Sequence, residues 1–325
     1  MTFSSIFIKT SLLTGFLFLT ACSNTPQTNA LLKSSVFVNN MVHTISDVPF
    51  YPQSEYYCGP TTLSEVFAYH GKNIDVEKIA SKIFIPGKKG SLQIEMVAAA
   101  RQYDFSAYTK QGSLIEILQL VENNIPVIVF QNNGLSWAPS WHYAVVIGYD
   151  IAAKSIILHT GLSENYRIPF AVFERTWNRG NNWFLAPLPI GITFNILDPY
   201  LYTKSAYDML EIGREHTAIA NIRAAIDQWP EYWLGYFLLG NYNLSTDKPK
   251  ALAWYAKGFP YAKNEPAFLN NYAYVLWELG CQQESQQILT YALGNFPTNK
   301  DLQSTYLETE NSRDAYKGIC PTSLN

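Results

Sequence analysis

Cys58 stands with Gly59 and Pro60 at the head of a helical apolar pattern, and His142 opens an apolar run far downstream. A thiol and an imidazole brought together by a fold can carry out nucleophilic acyl transfer, the thiol attacking while the imidazole moves its proton. Pro60 suits a first helical position, where its preset φ fits and its missing N–H would have no partner anyway. Leu63, Val66, Phe67 and His70 recur at the spacing of one helix face, and Gly71 reads as the left-handed cap that ends it. Cys58 is therefore expected at the positive end of a helix dipole, where thiolate is favoured. Gly59 would let a substrate backbone approach the sulfur. On Cys-Gly-Pro alone a buried, inert cysteine is the plainer reading, and His142 is what shifts the balance.

The surrounding pattern predicts how these residues are positioned. Val48 to Pro52 reads as an extended lead-in, because Pro49 and Pro52 disfavour helix in the residue before each. Three further helices are expected: one through Ile74, Ile79, Ala80 and Ile83, one over Leu92 to Tyr103, and one capped by Ser113 with Leu114, Ile117, Leu118 and Val121 inward. The texture then changes to strands at Pro126 to Phe130, His142 to Tyr149, Ser155 to His159 and Trp183 to Leu185. Asn132-Asn133-Gly134 and Asp150 to Lys154 are turns between them. Helices first and an antiparallel sheet afterwards make an α+β domain, placed at 42–190. Trp137, Pro139 and Trp141, in the loop before His142, would wall a cleft.

The register Gln53-x₄-Cys58-Gly59-Pro60, then Pro126-Val-Ile-Val, then His142-Tyr-Ala-Val-Val-Ile-Gly148-Tyr-Asp150 resembles the bacteriocin-processing (double-glycine leader) peptidases and their stand-alone relatives. Those are papain-like cysteine peptidases, and the resemblance covers Val48 to Leu185. It implies Cys58 as nucleophile, His142 as general base and then acid, and Gln53 as a donor to the oxyanion hole. The gap between Gln53 and Cys58 is one residue shorter than in the transporter-fused members. The family places an aspartate at the end of the strand after the histidine strand. Here that strand ends Leu158-His159-Thr160-Gly161, which puts His159 in the expected place. A neutral imidazole there would accept the Nδ1–H of His142. Asp150 is the nearby carboxylate in sequence and reads first as a turn residue. Cys58, His142 and His159 lack a fourth ligand or a close-spaced motif, so no metal and no cofactor are expected.

Residues 1–22 carry Lys9 and an apolar run too short to span a bilayer, ending Leu19-Thr20-Ala21-Cys22. That ending resembles the lipobox of bacterial lipoproteins. It implies cleavage before Cys22, acylation of that residue, and a place on the cell envelope at the periplasmic face of the outer membrane. Residues 23–41, polar at their start, are expected to be a tether. The chain of 325 residues is 48% hydrophobic and 15% charged, enough for two cores. A formal charge of −3 gives no sign of nucleic-acid binding.

Beyond Pro187, Pro189 and Pro199 the pattern becomes helical and repetitive over 197–313, with Pro230 and Pro297 in matching places. Ala206, Ala218, Ile222 and Ala225 are echoed by Ala273, Ser285, Leu289 and Ala292. This is similar to about three tetratricopeptide repeats, small residues lying where paired helices touch. Tyr236, Tyr242, Trp254, Tyr255 and Trp277 are expected in the core, and the concave face would take a protein partner. Cys281 and Cys320 are free to pair in an oxidising compartment, although Cys320 falls in a tail expected to be loose over 314–325. The leading expectation is a lipid-anchored peptidase acting on peptide or protein substrates. The alternative is a catalytically weak or inactive papain-like domain serving, with the repeats, as an envelope scaffold.

Overall fold

The computed structural model describes residues 25–88, 90–310 and 320–321. Its helices are α1 (Pro26–Lys33), α2 (Cys58–Tyr69), α3 (Val76–Ile83), α4 (Gln93–Gln102), α5 (Leu114–Glu122), α6 (Phe170–Asn178) and α7 (Pro199–Glu211). They continue with α8 (Glu215–Gln228), α9 (Leu234–Leu244), α10 (Lys248–Gly258), α11 (Pro266–Glu278), α12 (Gln282–Asn295) and α13 (Lys300–Glu308). The strands are β1 (Val42–Thr44), β2 (Ser106–Gln111), β3 (Val127–Asn132), β4 (Trp141–Asp150), β5 (Ser155–Thr160), β6 (Ser163–Pro169) and β7 (Trp183–Leu188). The sheet order is β2-β7-β3-β4-β5-β6, with β1 on β4. Two compact units emerge: residues up to Cys58 with Gln111–Phe184, and Gly59–Lys110 with the residues from Leu185 on.

In the first unit, β3, β4, β5 and β6 form an antiparallel ladder. Tyr143 through Tyr149 are all buried, which is why β4 reads as an unbroken apolar run rather than an alternating one. Gly148 is required there: a Cβ would lie 2.8 Å from the His43 carbonyl oxygen of β1, so any side chain would push β1 off the sheet. Ser113 caps α5 as expected, in a full capping box with Glu116. The expected tether is corrected between Pro26 and Lys33, which form α1 and pack beside α5 and α6. The cause is an exchange of helix caps that polar composition conceals. The Glu174 carboxylate accepts from the Gln27 and Thr28 N–H groups at 2.9 and 2.7 Å, and the Gln27 side chain accepts from Leu114 N–H at the head of α5 at 2.7 Å.

In the second unit, α2 buries Leu63, Val66 and Phe67, and Phe67 stacks on Phe105 with centroids 4.7 Å apart. Gly71 ends this helix at φ +82°, its N–H bonded to the Ala68 carbonyl and that of Lys72 to Phe67, a Schellman cap. From Pro199 to residue 310 the described residues form helices joined by turns. Pairs α7/α8, α9/α10 and α11/α12 pack through short turns, and α13 follows against α11 and α12. Pro199–Glu211 recurs as Pro266–Glu278 and Glu215–Gln228 as Gln282–Asn295, both displaced by 67 residues. Gly213 and Gly280 repeat the same turn at φ +75° and +82°. Tyr236, Tyr255 and Trp277 are buried as expected, whereas Tyr242 is exposed and donates to Glu215 at 3.0 Å.

Cys281 and Cys320 form a disulfide across a separation of 39 residues, so residue 320 is tied to the head of α12. Closing a loop of that length restricts the unfolded chain, and reduction is expected to lower the stability of this unit by about 2–4 kcal/mol. Urea unfolding followed by circular dichroism, with and without reductant, measures the loss. Among the described residues no helix is long and apolar enough to cross a membrane.

Candidate active site

Every candidate catalytic side chain belongs to the first unit. Cys58 is the first residue of α2, half-buried and in no disulfide. Its charge acts on the phenol of Tyr143, whose pKa is driven up first by burial and then by Cys58. That influence puts the thiol in the neighbourhood of Tyr143 in β4. Gly59 differs from expectation: it is buried, and a Cβ would meet the Met96 sulfur at 3.0 Å and Ser91 at 3.1 Å. Its small size serves packing against α4 rather than substrate access. Tyr56, in the short connection from Gln53 to Cys58, adopts φ +67°. A non-glycine residue held there costs on the order of 1–3 kcal/mol.

Gln53 is fixed through its main chain, whose N–H donates to the Gly161 carbonyl at 3.0 Å. Its side-chain amide is different. Both Nε2 and Oε1 are buried and have no hydrogen-bond partner among the described residues. Buried polar atoms are almost always satisfied, and leaving one without a partner costs about 1–3 kcal/mol. Such an amide can exchange a hydrogen bond with a group that arrives from outside.

His142 sits in β4 opposite Gln131 of β3. Its Nε2 lies 2.9 Å from the Thr160 hydroxyl, and burial pushes its pKa down. The structure thus brings the Thr160 hydroxyl, and not His159, to the His142 ring. Val145 pairs with His159 across β4 and β5. Side chains alternate along a strand, so His159 shares the face of Val145 and not that of His142, three residues away. Thr160, one residue on, turns back to the His142 face. His159 is 1% exposed with both nitrogens occupied. Its Nε2 donates to the Val48 carbonyl at 3.1 Å, and its Nδ1 accepts from the Asn165 N–H at 3.3 Å. Those partners hold it neutral in one tautomer, and burial lowers its pKa in the same sense. With the Phe50 ring against it, its centroid 5.3 Å away, His159 secures the extended lead-in that carries Gln53.

Asp150 is the turn residue it reads as first. It lies at the far end of β4, about 26 Å along the strand from His142, accepting from the Ala153 N–H at 2.8 Å within the turn. Asn132 shapes the loop before His142, its side chain accepting from Gly134 and Ser140 N–H, each at 2.9 Å. Trp141 stacks on Phe130 at 5.0 Å, while Trp137 is 83% exposed. Cys22 lies outside the described residues. Thr160 is the residue against the His142 ring that sequence reasoning passed over, and face alternation from His142 was the signal for it.

The α+β unit with its antiparallel sheet, a cysteine heading a helix and a histidine opening a strand define the papain-like class. Residues 45–182 match the model described as the Peptidase_C39 like family. Three solved structures are similar to this chain. A C39-like peptidase from Bacillus anthracis is 20% identical over 45% of this chain and 97% of its own, with a TM-score of 0.38. The peptidase domain of Streptococcus ComA, a bifunctional ABC transporter of a quorum-sensing pathway, is 21% identical over 43% and 98%, with a TM-score of 0.36. A double-glycine-motif protease of an AMS/PCAT transporter, solved with its leader peptide, is 22% identical over 45% and 94%, with a TM-score of 0.34. No curated protein matches the chain.

Proposed function

We propose that this chain is a lipid-anchored cysteine peptidase of the bacterial cell envelope. The observation that carries the reading is the buried amide of Gln53, held without a partner five residues before Cys58. In the reaction, His142 takes the Cys58 proton and the sulfur attacks the scissile carbonyl carbon, forming the C–S bond. The Gln53 amide and the Cys58 N–H hold the resulting oxyanion. Collapse expels the amine, which leaves with the proton from His142. Water, deprotonated by His142, then hydrolyses the thioester and restores the thiol.

The anchor would be Cys22, on the periplasmic face of the outer membrane. From Cys22 to Pro26 the chain can reach at most about 14 Å, and α1 is packed into the first unit, so the domain would be held close to the bilayer surface. The helical pairs read as tetratricopeptide repeats whose concave face recruits the substrate or a protein partner. A second reading, a catalytically weak or inactive domain used as a scaffold, draws on the partner of the His142 ring among the described residues, a hydroxyl rather than a carboxylate.

The test is peptide cleavage. The full chain in detergent is incubated with a mixed peptide library, and new termini are read by mass spectrometry, with Cys58→Ser as control. The peptidase reading expects new termini with wild type and none with the variant. No cleavage by wild type, at any concentration where the fold is intact, favours the scaffold.

A further inference from the structure

We infer that Thr160 is the positioning partner of His142, a neutral hydroxyl doing by geometry alone what a carboxylate would do by geometry and charge. The inference deepens the proposed function and rests on it. Its basis is the 2.9 Å contact between the Thr160 hydroxyl and His142 Nε2. With Nε2 engaged, Nδ1 is the ring atom left to exchange a proton with Cys58. The other candidates are spoken for: His159 by Val48 and Asn165, Asp150 by its turn.

A hydroxyl and a carboxylate differ in two ways. A carboxylate only accepts, which forces a proton onto Nε2 and leaves Nδ1 as the base, whereas a hydroxyl can donate or accept and tolerates either tautomer. A carboxylate also offsets the charge of an imidazolium, and a hydroxyl does not. The groups around the ring do not make up the difference. Gln131 lies opposite on β3, Trp141 and Tyr143 flank it on β4, and Thr160 meets it from β5. None of these groups supplies an anion at neutral pH. Burial already disfavours the imidazolium. The thiolate–imidazolium pair should therefore be weaker than one backed by a carboxylate.

The test is the rate of Cys58 alkylation by iodoacetamide across pH, followed by peptide mapping on the full chain in detergent. The proteins are wild type, Thr160→Ser, Thr160→Val, Thr160→Asp and His142→Ala. Thr160→Val keeps the shape and removes the hydroxyl. Losing one hydrogen bond should slow alkylation at pH 7 by about 2- to 10-fold, and Thr160→Ser should restore it. Thr160→Asp should speed alkylation at pH 7 and move the midpoint of the profile down by about one unit or more. If Thr160→Val and Thr160→Asp both follow the wild-type profile while His142→Ala is slow, the pair stands and Thr160 has no positioning role. If His142→Ala also follows wild type, the peptidase reading itself fails.

Discussion

Exchange of His142 for alanine is expected to lower Cys58-dependent peptide cleavage by about 10²–10⁴-fold, the usual contribution of a placed general base. The loss should fall on kcat, since the imidazole acts while bonds are changing and adds little to ground-state binding. Stability should change little. Among the described residues the ring makes one hydrogen bond, to the Thr160 hydroxyl, and its burial already penalises its charged form. His159 gives the contrast. Its exchange for alanine would leave the Val48 carbonyl and the Asn165 N–H without partners, so its damage would appear in stability and in the placement of Gln53.

Gln53 should show the opposite pairing of effects. Replacing it with alanine is expected to cost about 10²–10³-fold in kcat, the price of one oxyanion-hole donor. The folded protein should be no less stable and is expected to gain up to about 1 kcal/mol, because an orphaned buried amide is removed along with the residue. Alkylation by iodoacetamide builds no oxyanion, so the same variant should alkylate at the wild-type rate. Cleavage assays, urea unfolding and alkylation measured together separate this role from a general disturbance of the site. Loss of alkylation together with cleavage would mean that Gln53 merely supports the Cys58 connection.

Much of this was legible in the sequence because it is set by local rules. The Cys58 helix and its Gly71 stop follow from one apolar stripe and one residue able to take positive φ. The α5 cap follows from Ser113 and Glu116, three residues apart. Strands β3, β4 and β5 announce themselves as apolar runs separated by turn residues. What escaped depends on partners distant in sequence. The segment at Pro26–Lys33 looks like a polar linker until Glu174, 147 positions from Gln27, caps it. Strand β6 is exposed along nearly its whole length and has no alternation to betray it, and α6 opens directly from its end. The residue that meets the His142 ring is one position on from the one the sequence pointed to. Strand register decides which of two neighbours faces His142, and register depends on the length and shape of the β4–β5 turn, which no apolar pattern reports.

Measuring the pH profile of Cys58 alkylation in wild type and His142→Ala, on the full chain in detergent, tests the Cys58–His142 pair most directly. Cys281 and Cys320 are held in their disulfide, so alkylation reads the Cys58 site through its mapped peptide. The account predicts that wild-type Cys58 alkylates faster than a simple thiol at the same pH, and that His142→Ala removes this advantage. Wild type and variant alkylating at the same slow rate would contradict it, and the scaffold reading would then take its place.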